Sequence, residues 1–353
     1  MTKGVRWSFS AAKMKGPVFL RCKGAVKVQR AKGLPSYSYL GSFYIRKLDS
    51  DSVEVINLVN LETYLRGVVP SEVYAYWPQE TLKTQAVAAR TYSVFHLAQA
   101  KRRGRKFWHV DDTVQYQAYT GIGHTVAKTD RAVRETRGEI LTFEKGVIQA
   151  YYHADSGGQT ETADNVWGLE VPYCERVKEI YAPEDVSSTW SKKINLKDFT
   201  FKLRRSRLIS TKARVLSLTV PASGRTASGR VRFVSVKTNR GYKKISFRRF
   251  RDFLGKGSLP SRLFSFTKAQ KGVVTLNGLG SGHGVGMSQR GAEYLAREKN
   301  WSYKDILNFY YSGTKLCALH RKGQTVDQSC YADSISKPRK RFSQIDPSPT
   351  PKS

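Results

Sequence analysis

Apolar positions along this chain change period several times. Between Val18 and Asn57 they alternate with polar ones in short runs, AVKVQ, SFYIRKL and SVEVINLV, broken by Gly33-Leu-Pro35 and Asp49-Ser-Asp51. Period two between turn residues predicts strands joined in hairpins. Residues 58–67 predict a short helix leading to Val68, Val69 and Pro70, which places Glu72 in a turn ahead of the next helix. From Gln79 to Lys101 there is no Gly or Pro, and Pro78 supplies the fixed φ suited to a first helical position. Leu82, Ala86, Ala89, Ser93 and Leu97 follow the rhythm of a core-facing helical stripe. Lys83, Val87, Arg90 and Val94 form the neighbouring row, so Lys83 and Arg90 share one side of the helix, roughly 10 Å apart. Cations on a helix otherwise suited to burial need an anion. Lys101-Arg-Arg-Gly104 closes the helix with cations and a Gly stop.

Residues 105–125 read as a polar, aromatic loop. The run 135–154 predicts a helix end and a hairpin turning at Glu144-Lys-Gly146, whose second strand delivers His153 and Asp155 into Ser156-Gly-Gly158. Three strand-like runs follow: VLSLTVPA, with Leu216, Leu218 and Val220 on one face, the β-branched SGRVRFVSVKT, and the aromatic and basic SFRRFRDFLG. From Leu276 the segment GLGSGHGVG carries glycine at every second position. Helices are expected at 287–299 and 303–311, the latter opened by Ser302 as a cap. The fold class is therefore α+β, mixed helices and antiparallel sheets with a strand-rich basic insertion. Residues 1–17 form a flexible basic lead-in, 18–320 the main unit with the insertion at 191–270, and 321–353 a basic Pro/Ser-rich tail expected to be disordered.

Charge sharpens this picture. The chain of 353 residues carries a net charge of +33. Residues 191–270 hold 22 Lys and Arg against only Asp198 and Asp252. Such a segment suits a polyanion: nucleic acid, a peptidoglycan strand with free lactyl carboxylates, teichoic acid or anionic lipid. The alternative is a solvated basic face that keeps the protein soluble. No stretch reaches the 18 or so apolar residues needed to cross a bilayer, and no signal peptide or anchor is visible in the first 25 residues.

Most familiar catalytic schemes are absent. GMSQRG has one residue too many for a GxSxG nucleophile elbow, there is no HExxH, and the glycine-rich segment lacks the GK[ST] of a phosphate loop. Cys22, Cys174, Cys317 and Cys330 form no CxxC. Cys317 and Cys330 are candidates for a disulfide if the protein is exported, and the redox compartment stays open.

Several long motifs occur in order: VVPSEV…WPQETLKTQAVAARTY from Val68, YYHADSGGQTETADNVWG at 151–168, VPYCERV at 171–177, GSGHGVGMSQRGAEYLA at 280–296 and YKDILNFYYSGTKL at 303–316. Together they resemble the SpoIID/LytB family, the stage II sporulation protein D group of peptidoglycan lytic transglycosylases, over roughly residues 40–318. The resemblance implies an enzyme of the cell envelope, periplasmic or secreted, that cuts glycan strands, intact or stripped of stem peptides, to leave 1,6-anhydromuramic ends. It implies Glu72 as acid and then base, beside Tyr74, Tyr76 and Trp77, which would keep water away. Glu62 and Glu80 are the rival carboxylates, the first read as a helix residue and the second as a first-turn acid. Substrate contacts carried over are Lys83, Arg90, Ser156, Gly157, Gly158, Gln159, Tyr173, His283 and Gln289. Lys83 and Arg90 have a structural alternative, ion pairing with Asp111 or Asp112. No cofactor is required. Family members with a metal use cysteines that residues 105–160 lack, so no zinc is expected. LytB-like relatives imply the rival role, a wall-binding amidase enhancer with an amidase as partner. Anionic wall polymers are further candidate partners, and nucleic acid is disfavoured because no helix-turn-helix, zinc finger or RNP motif is present.

Overall fold

The computed structural model describes residues 8–104, 107–113, 116–181, 188–255 and 257–319. The expected tail at 321–353 and the first seven residues of the lead-in lie outside them. The chain divides into two compact units. One holds the residues up to Tyr76, Ala89–Gln149 and those from Lys315 on; the other holds Trp77–Ala88 and Ala150–Thr314.

In the first unit a short 3-10 turn at Ala11–Lys13 precedes five strands: β1 Val18–Leu20, β2 Val26–Gln29, β3 Ser36–Tyr39, β4 Ser42–Lys47 and β5 Val53–Leu58. They form an antiparallel sheet β1-β4-β5 and a β2-β3 hairpin, the arrangement that period-two alternation with Gly/Pro and Asp/Ser turns encodes. Helix α1, Leu61–Glu72, is opened by Asn60, whose side chain accepts the Glu62 N–H at 3.0 Å. It runs longer than the sequence suggests: Pro70 lies inside it, and the Val73 N–H closes its last turn on the Val69 carbonyl at 3.0 Å. Glu72 is therefore the last helical residue and not part of a free turn.

Helix α2 spans Gln79–Arg102. Leu82, Ala86, Ala89 and Ser93 are buried along it, while Leu97 is 47% exposed, so the stripe stops one turn earlier than its spacing implies. Helix α3 is Ala127–Glu135, and β6 Glu139–Phe143 turns into β7 Gly146–Val147. The turn residues Glu144 and Lys145 both have positive φ, 46° and 64°, the two-residue geometry whose twist matches the strands it joins.

The second unit begins with β8 Tyr152–His153 and α4 Ala163–Trp167, which ends on left-handed Gly168. The basic region then supplies β9 Thr189–Asn195, α5 Leu196–Arg205, β10 Val215–Thr219, β11 Phe233–Thr238, β12 Gly241–Ser246, α6 Phe247–Leu254, β13 Leu263–Phe266 and β14 Val273–Leu279. These form two antiparallel sheets, β10-β11-β12 and β13-β14-β9. Their shared core is built from Ile194, Phe199, Leu203, Leu218, Val234, Val236, Ile245, Phe250, Phe264 and Leu276.

Two readings of this region need correction. SFRRFRDFLG forms a helix because Phe247 and Phe250 fall three apart and point inward, with Ser246 capping the Arg249 N–H. Leu216 is exposed while Val215 and Leu218 are buried, because the strand is irregular between Val215 and Ser217 and the alternation skips a residue there. The chain continues through β15 Met287–Ser288, parallel to β8, then α7 Gln289–Glu298 and α8 Tyr303–Tyr310. Ser302 and Asp305 form a capping box at the start of α8.

Strand β16, Lys315–Ala318, returns to the first unit and pairs with β6. Cys317 within it is disulfide-bonded; Cys330 lies outside the described residues, and Cys22 and Cys174 are free. Among the described residues no helix is long and apolar enough to cross a membrane.

Candidate active site

In the first unit, Glu72 closes α1 half-buried, and its Oε1 accepts the Ala118 N–H at 2.8 Å. The C-terminal end of a helix dipole disfavours an anion, while a donated backbone hydrogen bond favours it. Phenols lie close by: the negative charge of Glu72 is felt at Tyr64 and at Tyr92. Burial is the main reason both phenols are held well above their ordinary range, with neighbouring tyrosines and then Glu72 adding to it. Tyr64 reaches Gln117 Oε1 at 3.3 Å, Ser93 reaches the same atom at 2.7 Å, and Gln117 Nε2 donates to the Ala89 carbonyl at 3.2 Å. Buried side chains thus fix the segment that presents the Ala118 amide.

Of the aromatic residues expected beside Glu72, Trp77 is buried. Tyr74 and Tyr76 stack on each other at 5.4 Å and are exposed, Tyr76 by 74%. Tyr64 and Tyr92, from α1 and α2, are buried rings that feel the Glu72 charge.

Arg90 is fully buried. Its Nε donates to Glu62 Oε1 at 2.9 Å and its Nη2 to Glu62 Oε2 at 2.8 Å, and it also reaches the Val133 and Glu139 carbonyls at 3.2 Å. The sequence placed Arg90 at the substrate, with Asp111 or Asp112 as an alternative partner. Its guanidinium is instead taken up by Glu62 and backbone carbonyls, and it ties α1 to α2 and α3.

The second unit holds the other residues singled out. Asp155 and Ser281 exchange backbone hydrogen bonds at 3.0 and 2.9 Å, and the Glu161 N–H meets the Gly284 carbonyl at 2.7 Å. The SGG loop and the glycine segment therefore lie side by side. Gly280, Gly282, Gly284 and Gly286 all have φ between 69° and 103°, a conformation that L side chains resist. At Gly286 an added methyl would strike the Tyr151 carbonyl.

Ser156 is buried, with its Oγ donating to Glu179 Oε1 at 2.9 Å and accepting the Gly158 N–H at 3.1 Å. Tyr310 donates to Glu179 Oε2 at 2.7 Å. Burial raises the Glu179 carboxyl to about 7, and the hydrogen bonds from Tyr310 and Ser156 offset part of that rise. Arg230, also buried, donates to the Ser156 carbonyl at 2.6 Å and the Gln159 carbonyl at 2.8 Å. Burial is the main reason its guanidinium pKa is lowered to about 10. Glu179 and Arg230 thus shape the SGG loop from beneath. Sequence reasoning passed over both: Arg230 is one cation among many, and Glu179 sits in no recognisable pattern.

His283 lies 5.5 Å from His153, 5.0 Å from Trp167 and 6.2 Å from Tyr151, ring to ring. Burial is the main reason its imidazole is lowered to about 4, with the Arg230 charge adding to it, so it is neutral at neutral pH. The buried His153 Nδ1 faces the Val285 carbonyl at 3.1 Å, and its Nε2 has no hydrogen-bond partner among the described residues. Gln289 is buried at the start of α7, its amide 3.3 Å from Gln85 Oε1. Lys83 pairs with Glu80 at 2.9 Å and lies 5.7 Å from the Tyr303 ring. Tyr173 is half-buried, close enough to Tyr311 for their phenols to interact. Among the described residues no group of three or more His, Cys, Asp or Glu is placed to hold a metal ion.

Comparison with known proteins places these features in a lineage. A model of the SpoIID family, described as stage II sporulation protein, matches residues 49–143, and one for a domain of unknown function matches residues 178–286. The chain is 35% identical over 285 residues to an uncharacterized protein of Brachyspira hyodysenteriae, covering 80% of this chain and 74% of the relative. It is 34% identical over 276 residues to the stage II sporulation protein D of Bacillus amyloliquefaciens, covering 73% and 74% respectively. It is also 31% identical over 294 residues to the amidase enhancer of Bacillus subtilis, covering 71% of this chain but 40% of that protein. The chain belongs to the SpoIID family.

Proposed function

We propose that this protein is a peptidoglycan lytic transglycosylase of the cell envelope, acting on glycan strands through a single carboxyl group, that of Glu72. The observation that carries the reading is a half-buried glutamate at a helix end, its charge felt by buried phenols and its Oε1 accepting an amide from a segment fixed in place. The opposing influences of helix end and amide suit a group that must bear a proton in one step and accept one in the next.

In the first step the Glu72 carboxyl gives its proton to the glycosidic oxygen as the bond from that oxygen to C1 breaks and positive charge builds on the muramic ring. In the second, the muramic C6 hydroxyl attacks C1, and its proton passes to the Glu72 carboxylate. The product is a 1,6-anhydro ring, no water is consumed, and no cofactor is needed. Lys83, Gln159, Tyr173 and His283 are proposed as substrate contacts. Ser156, Gly157 and Gly158 supply a loop whose glycines let a sugar approach the backbone. We assign the buried Arg90 and Gln289 to positioning.

The test is mass spectrometry of digested glycan strands. Anhydro termini from the parent chain and none from Glu72→Gln support the reading, whereas reducing termini alone would overturn it.

The similarity to an amidase enhancer favours a second reading, a non-catalytic wall-binding module that recruits an amidase. In that case Glu72→Gln would leave both wall binding and amidase stimulation intact.

A further inference from the structure

Few of the described cations of the basic region are ion-paired. Among the described residues of 189–279, the one ion pair is that of the sequence neighbours Arg251 and Asp252, at 3.7 Å. Several cations are spent on backbone carbonyls, such as Arg225 on Gly229 and Phe264 and Arg204 on Ala213. The remainder repel one another without a counter-charge from the fold, which is a cost unless an external anion meets them.

Sheet β10-β11-β12 arranges some of these cations on one surface. Pairing of Lys237 with Tyr242, Ser235 with Lys244 and Phe233 with Ser246 puts those six residues on one face. Val234, Val236 and Ile245 go to the other and enter the core. Ser217 and Thr219 of β10, opposite Lys237 and Ser235, extend the outer face with hydroxyls. Tyr242 is 67% exposed, with the Lys237 ammonium 6.0 Å from its ring centre. The Lys244 ammonium covers Phe233 at 3.8 Å. The face therefore offers one open phenol, two ammonium groups and a row of hydroxyls.

We propose that this outer face is a docking surface for a glycan strand bearing free carboxylates. The polyanion follows from the charge of the face alone, whereas the choice of a glycan rests also on the transglycosylase reading. A sugar ring can lie on the open Tyr242 while its pendant carboxylate meets Lys237 or Lys244 and its hydroxyls meet the serine and threonine row. Single-stranded nucleic acid fits less well, because successive bases need a run of open rings and here the second ring is capped by a lysine.

The test uses the full chain carrying Glu72→Gln, so that the polymer survives the measurement. Its binding is measured to glycan strands freed of stem peptides, to the same strands with their carboxylates amidated, to wall teichoic acid and to single-stranded DNA. The stripped strands should bind tightest, and amidation should weaken them about tenfold, as should the added triple change Lys237→Gln, Tyr242→Ala, Lys244→Gln, since exposed charge contacts are individually modest. Charge reversal by Lys237→Glu and Lys244→Glu should weaken binding further. Thermal midpoints of the variants, all altered at exposed positions, serve as the control for folding. Unchanged affinity in the folded triple and reversal variants, no response to amidation, or tighter binding of DNA or teichoic acid would each overturn the proposal. Anhydro termini from a parent chain whose binding ignores this face would sink the docking surface and leave the enzyme standing. Face-dependent binding without anhydro termini would do the reverse.

Discussion

Arg90 and Glu62 meet through two parallel hydrogen bonds, Nε to Oε1 at 2.9 Å and Nη2 to Oε2 at 2.8 Å, with the guanidinium fully buried. Removing one partner of a buried pair strands the other charge, at a cost of about 3–5 kcal/mol. Glu62→Ala and Arg90→Ala should each destabilise the protein on that scale in denaturant unfolding. Arg90→Lys should recover only part of the loss, because an ammonium cannot reproduce the fork. A functional contact without a structural role would instead leave the unfolding midpoint unmoved.

Glu72→Gln keeps the shape of the side chain and removes its proton chemistry. Release of anhydro termini should drop by about 10²–10⁴-fold, the usual worth of a general acid or base. The thermal midpoint should stay close to that of the parent, because the amide oxygen can still accept the Ala118 N–H.

Glu179 carries its own pH signature. A carboxyl raised from 4.5 to about 7 contributes stability below its unfolded value that is lost as pH rises through about 7. The depressed His283 acts in the opposite sense: its contribution is present above about 6.5 and is lost as pH falls toward 4, and burial pushes His153 in the same direction. The parent curve therefore mixes the two. Subtracting the Glu179→Gln melting curve from it should isolate a loss confined to the window between pH 4.5 and 7. A difference curve flat across that window would refute the assignment.

Gly67 sets a local preference against packing. In a helix interior Ala is favoured over Gly by about 1 kcal/mol. At this position, however, the added methyl would run into the Gly121 carbonyl and sit 2.7 Å from the Tyr119 ring. Overpacking of that kind costs about 1–3 kcal/mol. Gly67→Ala should therefore lower the thermal midpoint.

Much of the scaffold was legible from periodicity and caps. Helix α2 followed from an unbroken apolar rhythm, α8 from Ser302, and the β6-β7 turn from Glu144-Lys-Gly146. The failures share a cause, namely information that is not local. Pro70 looked like a stop, yet α1 runs through it to Glu72: the proline forfeits one hydrogen bond to the carbonyl a turn earlier, and the Val73 N–H still closes the helix on the Val69 carbonyl. SFRRFRDFLG carries aromatics that fit either period until a sheet is present for Phe250 to pack on. At the candidate site, the SGG and glycine segments stood out through residues that only special backbone geometry demands. Glu179 and Arg230 could not, because their role lies in what they hold and nothing in their neighbours announces it.

The lysines of β12 also matter for how copies of this chain treat one another. Among the described residues β12 is the last strand in its sheet, and such edges invite strand-to-strand addition between molecules unless charges obstruct it. Lys243 and Lys244 supply that obstruction in the middle of the strand. Stripping those positions of charge would expose a ready template for aggregation, so Lys244, proposed above as a polymer contact, would also help to keep the protein dispersed.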